Sequence, residues 1–181
     1  MKPAGLHIFH KSERGVTLIE LAIAIGITGS IMAGVSNGIF QLITINADNN
    51  AHMVAIKQVE NALHWIGRDA QMAQTVETTT DPDPNVDTFP ITLRWTDWDN
   101  VDNEIEYEID EEGNLIRRHT QGMDTTESTV ARLIDSDVDS TNCTWDSDAR
   151  KLTLQITATI PWSGQEASET RTTEISPRPA I

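Results

Sequence analysis

The feature that most constrains this chain is a long apolar segment close to its N-terminus. Residues 21–47 contain no charged side chain, and residues 16–47 contain only one, Glu20. An α-helix rises about 1.5 Å per residue, so roughly 20 apolar residues cross the hydrocarbon core of a bilayer. The segment is therefore long enough to span a membrane. It is longer than the apolar region of an ordinary signal peptide, while an ordinary signal anchor stays an alternative.

Charge is distributed unevenly on the two sides of this segment. Residues 1–15 carry three basic side chains and one acidic one, whereas the whole chain has a formal net charge of -15. A basic tip on the cytoplasmic side and an acidic body outside the membrane follow from the positive-inside rule. A domain with this much negative charge repels phosphate backbones, so a nucleic-acid partner is not expected.

Glu20 is an acid within an otherwise apolar segment. At the bilayer centre a carboxylate costs about 2.5–3.5 kcal/mol on insertion scales, and it costs less near an interface. On position alone two interpretations stay open. Glu20 lies at the level of the lipid headgroups, or it has a functional partner inside the membrane.

The sequence around this acid is distinctive, because residues 11–21 read KSERGVTLIEL. It resembles the class III signal of type IV prepilins and type II secretion pseudopilins. In that signal a basic leader ends in Gly and is followed by a hydrophobic residue, Thr-Leu-Ile-Glu and an apolar helix. Gly15 matches the residue before the cut and Glu20 matches the acid. Val16 stands where the family usually has Phe or Met.

The resemblance implies a processing pathway and a set of partners. A prepilin peptidase would cleave between Gly15 and Val16 and would methylate the new amine of Val16. Glu20 would pair with the N-terminal amine of a neighbouring pilin or pseudopilin subunit, although a role in peptidase recognition is equally open. Membrane lipid and an inner-membrane assembly platform are the other implied partners. The mature protein would be a single-pass inner-membrane protein that is extracted into an envelope filament.

The helix is predicted to continue beyond the apolar segment. Apolar residues recur at spacings of four, three, four and three, which indicates one face of an amphipathic helix: Val59, Leu63, Ile66, Ala70 and Ala73. No proline interrupts residues 16–76. The predicted organisation is therefore a leader (1–15), a transmembrane half of the helix (16–47), an amphipathic half (48–76) and an extracytoplasmic domain (77–181). Residues 59–76, with the pair Arg68-Asp69, also resemble J-type minor pseudopilins and minor pilins.

The C-terminal domain is predicted to be rich in β-strands. Residues 77–88 are polar and contain two prolines, which favours a loop. Beyond them apolar residues alternate around residues 91–95, 105–109 and 152–160, as in strands with one buried face. Further strands are possible at 130–134 and 170–175, and residues 111–114 carry a hairpin turn signal. The predicted fold class is α+β and pilin-like, with a long helix packed on an antiparallel sheet.

Little in the chain points to catalysis or to a cofactor. Asp135, Asp137, Asp139 and Asp146 follow the spacing of a calcium-binding loop, but Ser140 stands where that loop needs Gly. A solvated acidic loop is the competing interpretation. There is no phosphate loop, nucleophile elbow or zinc spacing, so an enzyme is not expected.

The sequence therefore favours a structural function. The predicted protein is a minor pilin or pseudopilin that assembles into, or initiates, a type II secretion pseudopilus or a type IV pilus. The alternative is a membrane-anchored extracytoplasmic binding domain that does not polymerise.

Overall fold

A computed structural model describes residues 15–80, 87–162 and 164–178, and within them one helix precedes eight strands. Contacts divide the chain into two units, residues 1–45 and residues 46–181. The predicted α+β class is confirmed. The elements are α1 (Leu18–Met72), β1 (Thr75–Thr80), β2 (Asp87–Thr96), β3 (Asp102–Ile109), β4 (Leu115–Gln121), β5 (Asp124–Ala131), β6 (Asn142–Asp146), β7 (Lys151–Trp162) and β8 (Gln165–Ile175).

In the first unit, α1 presents apolar side chains in every direction. Its large apolar residues are all more than half exposed, from 52% at Ile39 to 86% at Leu18. The hydroxyls of Thr28, Ser30 and Thr44 each donate to the backbone carbonyl four residues earlier, at 2.8–3.0 Å. Hydroxyls that are satisfied within the helix need no water, so these polar residues are compatible with a lipid environment. By length and composition this helix is able to cross a membrane.

In the second unit, one face of α1 covers an antiparallel sheet. The sheet order is β5-β4-β3-β2-β6-β7-β8, and β1 pairs with β2. The predicted alternation is confirmed, because the buried apolar side chains of β2, β3 and β7 are every second residue; in β7 the polar Thr157 is buried as well. They meet a helix face that is made mostly of small side chains, which brings the helix close to the sheet. The buried residues of that face are Ala51, Ala55, Val59, Ala62, Ile66, Asp69 and Ala70.

The end of α1 differs from the prediction. The helix stops at Met72, not at residue 76, and the segment that follows is a strand, β1, which extends into the predicted loop 77–88. At the junction the Gln74 amide donates to the carbonyl of Arg94 at 2.8 Å. β1 contains four Thr and one Val, whose β-branched side chains favour strands. Pairing with β2 therefore overrides the continuation of the helix.

The predicted hairpin turn at 111–114 is confirmed, and Gly113 occupies the position in this turn that has a left-handed backbone conformation. The backbone amides of Glu112 and Asn114 both donate to a carboxylate oxygen of Asp110, at 3.0 and 2.7 Å. Gly113 has φ +76°, and a Cβ at this position would lie 2.7 Å from the carbonyl oxygen of Ile134. The turn therefore requires glycine for both conformation and space.

Candidate functional site

The junction predicted for processing lies directly before the helix. Gly15, Val16 and Thr17 are not helical, and α1 begins at Leu18. Val16 is 76% exposed, and a side chain at Gly15 would meet no atom within 4 Å in the described part of the chain. The bond between Gly15 and Val16 is therefore accessible in a short irregular segment at the head of the helix.

Glu20 and Thr17 form a reciprocal cap at the start of α1. The Thr17 amide donates to Oε2 of Glu20 at 3.0 Å, and the Thr17 hydroxyl donates to the same oxygen at 2.9 Å. In return, the Glu20 amide donates to Oγ1 of Thr17 at 3.3 Å. This is a capping box, in which side chains at the first and fourth positions satisfy amides that a helix start leaves unpaired. Its acid also lies at the positive end of the helix dipole.

The capping box explains the Thr-Leu-Ile-Glu spacing within one chain, before any contact with another subunit. A carboxylate three residues after the capping threonine reaches back to its amide. The carboxylate is nevertheless exposed, and the N-terminal amine that cleavage would create belongs to Val16, next to the cap. The geometry therefore places the acid and the bond that is predicted to be cleaved at the same end of the helix.

Comparison with protein families bears directly on this segment. Residues 10–36 match the model of the prokaryotic N-terminal methylation motif. The chain carries a class III prepilin signal. The predicted resemblance to the type IV prepilin and pseudopilin superfamily is thereby confirmed. No curated protein and no solved structure matches the chain.

The match covers residues 10–15 of the predicted leader, the junction and the first part of α1, and it ends before the globular domain. It fits a pilin or pseudopilin that a prepilin peptidase cleaves. It carries no information on the subtype, so the J-type assignment stays a prediction. The roles of Gly15, Val16 and Glu20 as individual residues also stay predictions at this point.

A second acid on α1, Asp69, forms a buried cluster with the sheet that sequence reasoning missed. Its side chain is fully buried, and its Oδ2 accepts from the hydroxyl of Tyr107 and from Nε of Arg117, each at 2.6 Å. Its Oδ1 accepts two bonds from Arg68, at 3.1 and 3.0 Å. The guanidinium groups of Arg68 and Arg117 lie over the ring of Trp65, at 4.1 and 5.4 Å.

Two members of the Asp69 cluster, Tyr107 and Arg117, have shifted pKa values. Burial, with the adjacent negative charge of Asp69, raises the pKa of Tyr107 well above its usual range, so the phenol remains a donor. Burial acts to lower the pKa of Arg117, but the hydrogen bond and charge of Asp69 outweigh it and the pKa rises. The cluster thus joins helix to sheet through the ion pair of Arg117 with Asp69, in which the guanidinium of Arg117 stays charged.

A histidine on β4, His119, packs beside the cluster. Its ring stacks on Trp95 with centroids 6.1 Å apart, and its Nε2 lies 3.1 Å from Oδ1 of Asn103. Burial and the positive charge of Arg117 lower the pKa of His119, against the opposite effect of Asp69 and Asp97. The neutral imidazole is therefore the form that the fold favours.

The candidate calcium residues do not gather into a metal site. Asp135 and Asp137 each use one carboxylate oxygen to accept the amide two residues later, at 3.0 Å. Asp146 likewise accepts the amides of Asp148 and Ala149. Within residues 15–80, 87–162 and 164–178, no three side chains of His, Cys, Asp or Glu are placed to hold a metal ion. Through these hydrogen bonds the carboxylates stabilise the loops in which they lie.

Proposed function

We propose that this chain is a minor pilin or pseudopilin subunit, cleaved after Gly15, methylated on Val16 and assembled into an envelope filament. The role is structural and not catalytic. The observation that carries the proposal is the head of α1, where the match to the methylation motif coincides with an accessible Gly15–Val16 bond and a capped Glu20. The exposed apolar surface of the first unit supports storage in the membrane before assembly.

In this proposal Glu20 has two successive partners. Before assembly the carboxylate accepts hydrogen bonds from Thr17 of its own chain. These bonds lower the cost of holding the acid in the membrane, because a satisfied polar group is cheaper to bury than an orphaned one. On docking, the carboxylate turns to the amine of a neighbouring subunit. A charged pair in a low-dielectric environment is strongly directional and fixes the register of the two helices.

Processing is tested by mass spectrometry of the full chain, extracted from the membranes of a host that has a prepilin peptidase. We expect an N-terminus at Val16 with one added methyl group. Gly15→Leu should give an uncleaved precursor, because a large side chain at the position before the cut is expected not to fit the peptidase. Gly29→Leu is the matched control, since a side chain there also meets no atom within 4 Å in the described chain. An intact Met1 terminus in the unaltered chain would favour the anchored, non-polymerising alternative.

Assembly is tested with two substitutions that separate charge from capping. Glu20→Gln removes the charge but keeps an amide oxygen that completes a capping box, whereas Glu20→Val removes both. We expect both variants to insert into the membrane and both to be lost from the sheared filament fraction. Normal incorporation of Glu20→Gln would show that the charge has no role in docking.

A further inference from the structure

Two neighbouring turns at one end of the sheet expose large apolar side chains. Trp98, in the turn between β2 and β3, is 97% exposed, and Met123, between β4 and β5, is 103% exposed. Elsewhere among the described residues of the second unit, the most exposed large apolar side chain is Met53, at 55%. We define residues 97–102 and 121–124 as the turn surface. Large apolar side chains that are exposed as a group, and not scattered singly over the surface, indicate an interaction site.

The turn surface is held in a fixed conformation. In the first turn the Asp97 amide donates to the carbonyl of Val101 at 2.9 Å, and the Asp97 carboxylate accepts from Trp95 Nε1 and Asn103 Nδ2. The amide of Gly122 donates to the carbonyl of Asp102 at 3.3 Å, which ties the two turns together. A preordered surface loses little conformational entropy on binding, so its exposed side chains are well suited to recognition.

A recess opens beside these side chains. It has a volume of about 660 Å³, and its lining includes Val101 and Gly122 from the two turns, together with Asp102, Glu104 and Arg94 from the strands. The guanidinium of Arg94 is already paired with Glu77 and Glu104. The recess is therefore suited to a basic side chain of a partner more than to an acidic one.

Charge identifies the kind of partner. The turn surface contains four aspartates and no lysine or arginine: Asp97, Asp99, Asp102 and Asp124. Anionic lipid and nucleic acid would be repelled. A second copy is also disfavoured, because the chain carries a net charge of -15. Three of its arginines on the sheet, Arg94, Arg118 and Arg171, are each paired with two or three glutamates, and a fourth, Arg117, is paired with Asp69.

We propose that the turn surface is a docking site for a different protein, one that presents an apolar pocket surrounded by lysine or arginine side chains. Trp98 and Met123 fill the pocket, and the aspartates pair with its basic rim. The surface lies at the end of the sheet where α1 stops, since the Thr96 amide donates to the side chain of Gln74 at 3.2 Å. It is thus away from Asn46, where the chain enters the second unit. The docking does not depend on processing at Gly15.

The test is photo-crosslinking of the full chain in its native envelope, with p-benzoylphenylalanine in place of Met123. We expect one adduct with another protein, whose crosslinked peptide, read by mass spectrometry, combines apolar residues with lysine or arginine. Trp98→Ala should lower the adduct yield by about tenfold or more, as for a central aromatic anchor. The double change Asp99→Asn and Asp124→Asn should also lower it, and raised salt should do the same to the unaltered chain.

The matched control is Trp162→Ala, at the last residue of β7, next to the turn that leads to β8 at the opposite end of the sheet. It should leave the adduct yield unchanged, and limited proteolysis should show that each variant is folded. No adduct, an adduct with a second copy of this chain, or a yield insensitive to Trp98→Ala would each overturn the proposal. An adduct that persists in the Glu20→Gln chain would show that this docking does not depend on filament assembly. Failure of the docking proposal can therefore be told apart from failure of the proposed assembly into a filament.

Discussion

The Asp69 cluster makes a quantitative prediction about what holds α1 on the sheet. Asp69→Ala removes a fully buried carboxylate and leaves Arg117, whose side chain is only 12% exposed, without its acid. Removing one partner of a buried ion pair costs about 3–5 kcal/mol, because the remaining charge stays desolvated. Arg68 adds little to this figure, since its side chain is 46% exposed and is screened by water. We therefore expect the free energy of unfolding to fall by about 3–5 kcal/mol.

This loss is large beside the total stability of a domain, which is about 5–15 kcal/mol. The assay is urea unfolding of the detergent-solubilised full chain, followed by tryptophan fluorescence. All five tryptophans lie between residues 65 and 162, so the signal reports on the second unit and not on the membrane segment. Trp65 lies under the two arginines, so its native emission should also change.

Two further variants separate the contributions. Tyr107→Phe removes one hydrogen bond to a charged group and should cost about 1.5–3 kcal/mol. Glu127→Ala is the surface control, because it removes one of three carboxylates around Arg118, whose side chain is 36% exposed. It should cost less than about 1 kcal/mol. If Asp69→Ala destabilises the domain no more than Glu127→Ala, the cluster does not anchor the helix and the reasoning is wrong.

The remaining predictions concern a turn and a titration. Gly113→Ala should destabilise the second unit by more than Gly122→Ala, for which the left-handed φ of +62° alone predicts about 1–2 kcal/mol. The difference between the two losses of unfolding free energy measures the steric cost of the contact with the Ile134 carbonyl. Equal losses in the same urea assay would show that this contact has no energetic cost. His119 should make the domain less stable as the pH falls below about 6.5, because the unfolded histidine then binds a proton that the folded one, with its lowered pKa, resists. His119→Gln should remove that part of the pH dependence of stability between pH 7.5 and 5. An unchanged slope of unfolding free energy against pH in this variant would contradict the role of His119.

Local patterns in the sequence predicted much of the fold. The ability of α1 to span a membrane follows from a count of apolar residues. The strands at 91–95, 105–109 and 152–160 follow from the alternation of apolar residues, and the turn at 111–114 follows from its Gly and Asn. Strands without that alternation were missed or predicted only in part: the expected strand at 130–134 overlaps β5 at two residues, and the one at 170–175 is the C-terminal part of β8. β5 (Asp124–Ala131) is exposed along most of its length, so no apolar pattern marks it, and β6 (Asn142–Asp146) is only five residues long. The end of α1 was missed for a related reason, because the pairing of Thr75 with Arg94 is not visible in either segment alone.

The two acids of α1 show why one candidate site was found and the other was not. Glu20 is recognised by a partner three residues away, so the spacing Thr-Leu-Ile-Glu contains both halves of the interaction. Asp69 has its partners 38 and 48 residues later, on β3 and β4, and no spacing on the helix specifies them. The Arg68-Asp69 pair was visible, but only the fold shows that Asp69 points into the core and Arg68 to the surface. Both acids stand where apolar side chains would otherwise be expected. A single helix would thus fix its position twice by a carboxylate, on its own sheet through Asp69 and, in the proposed filament, on a neighbouring subunit through Glu20.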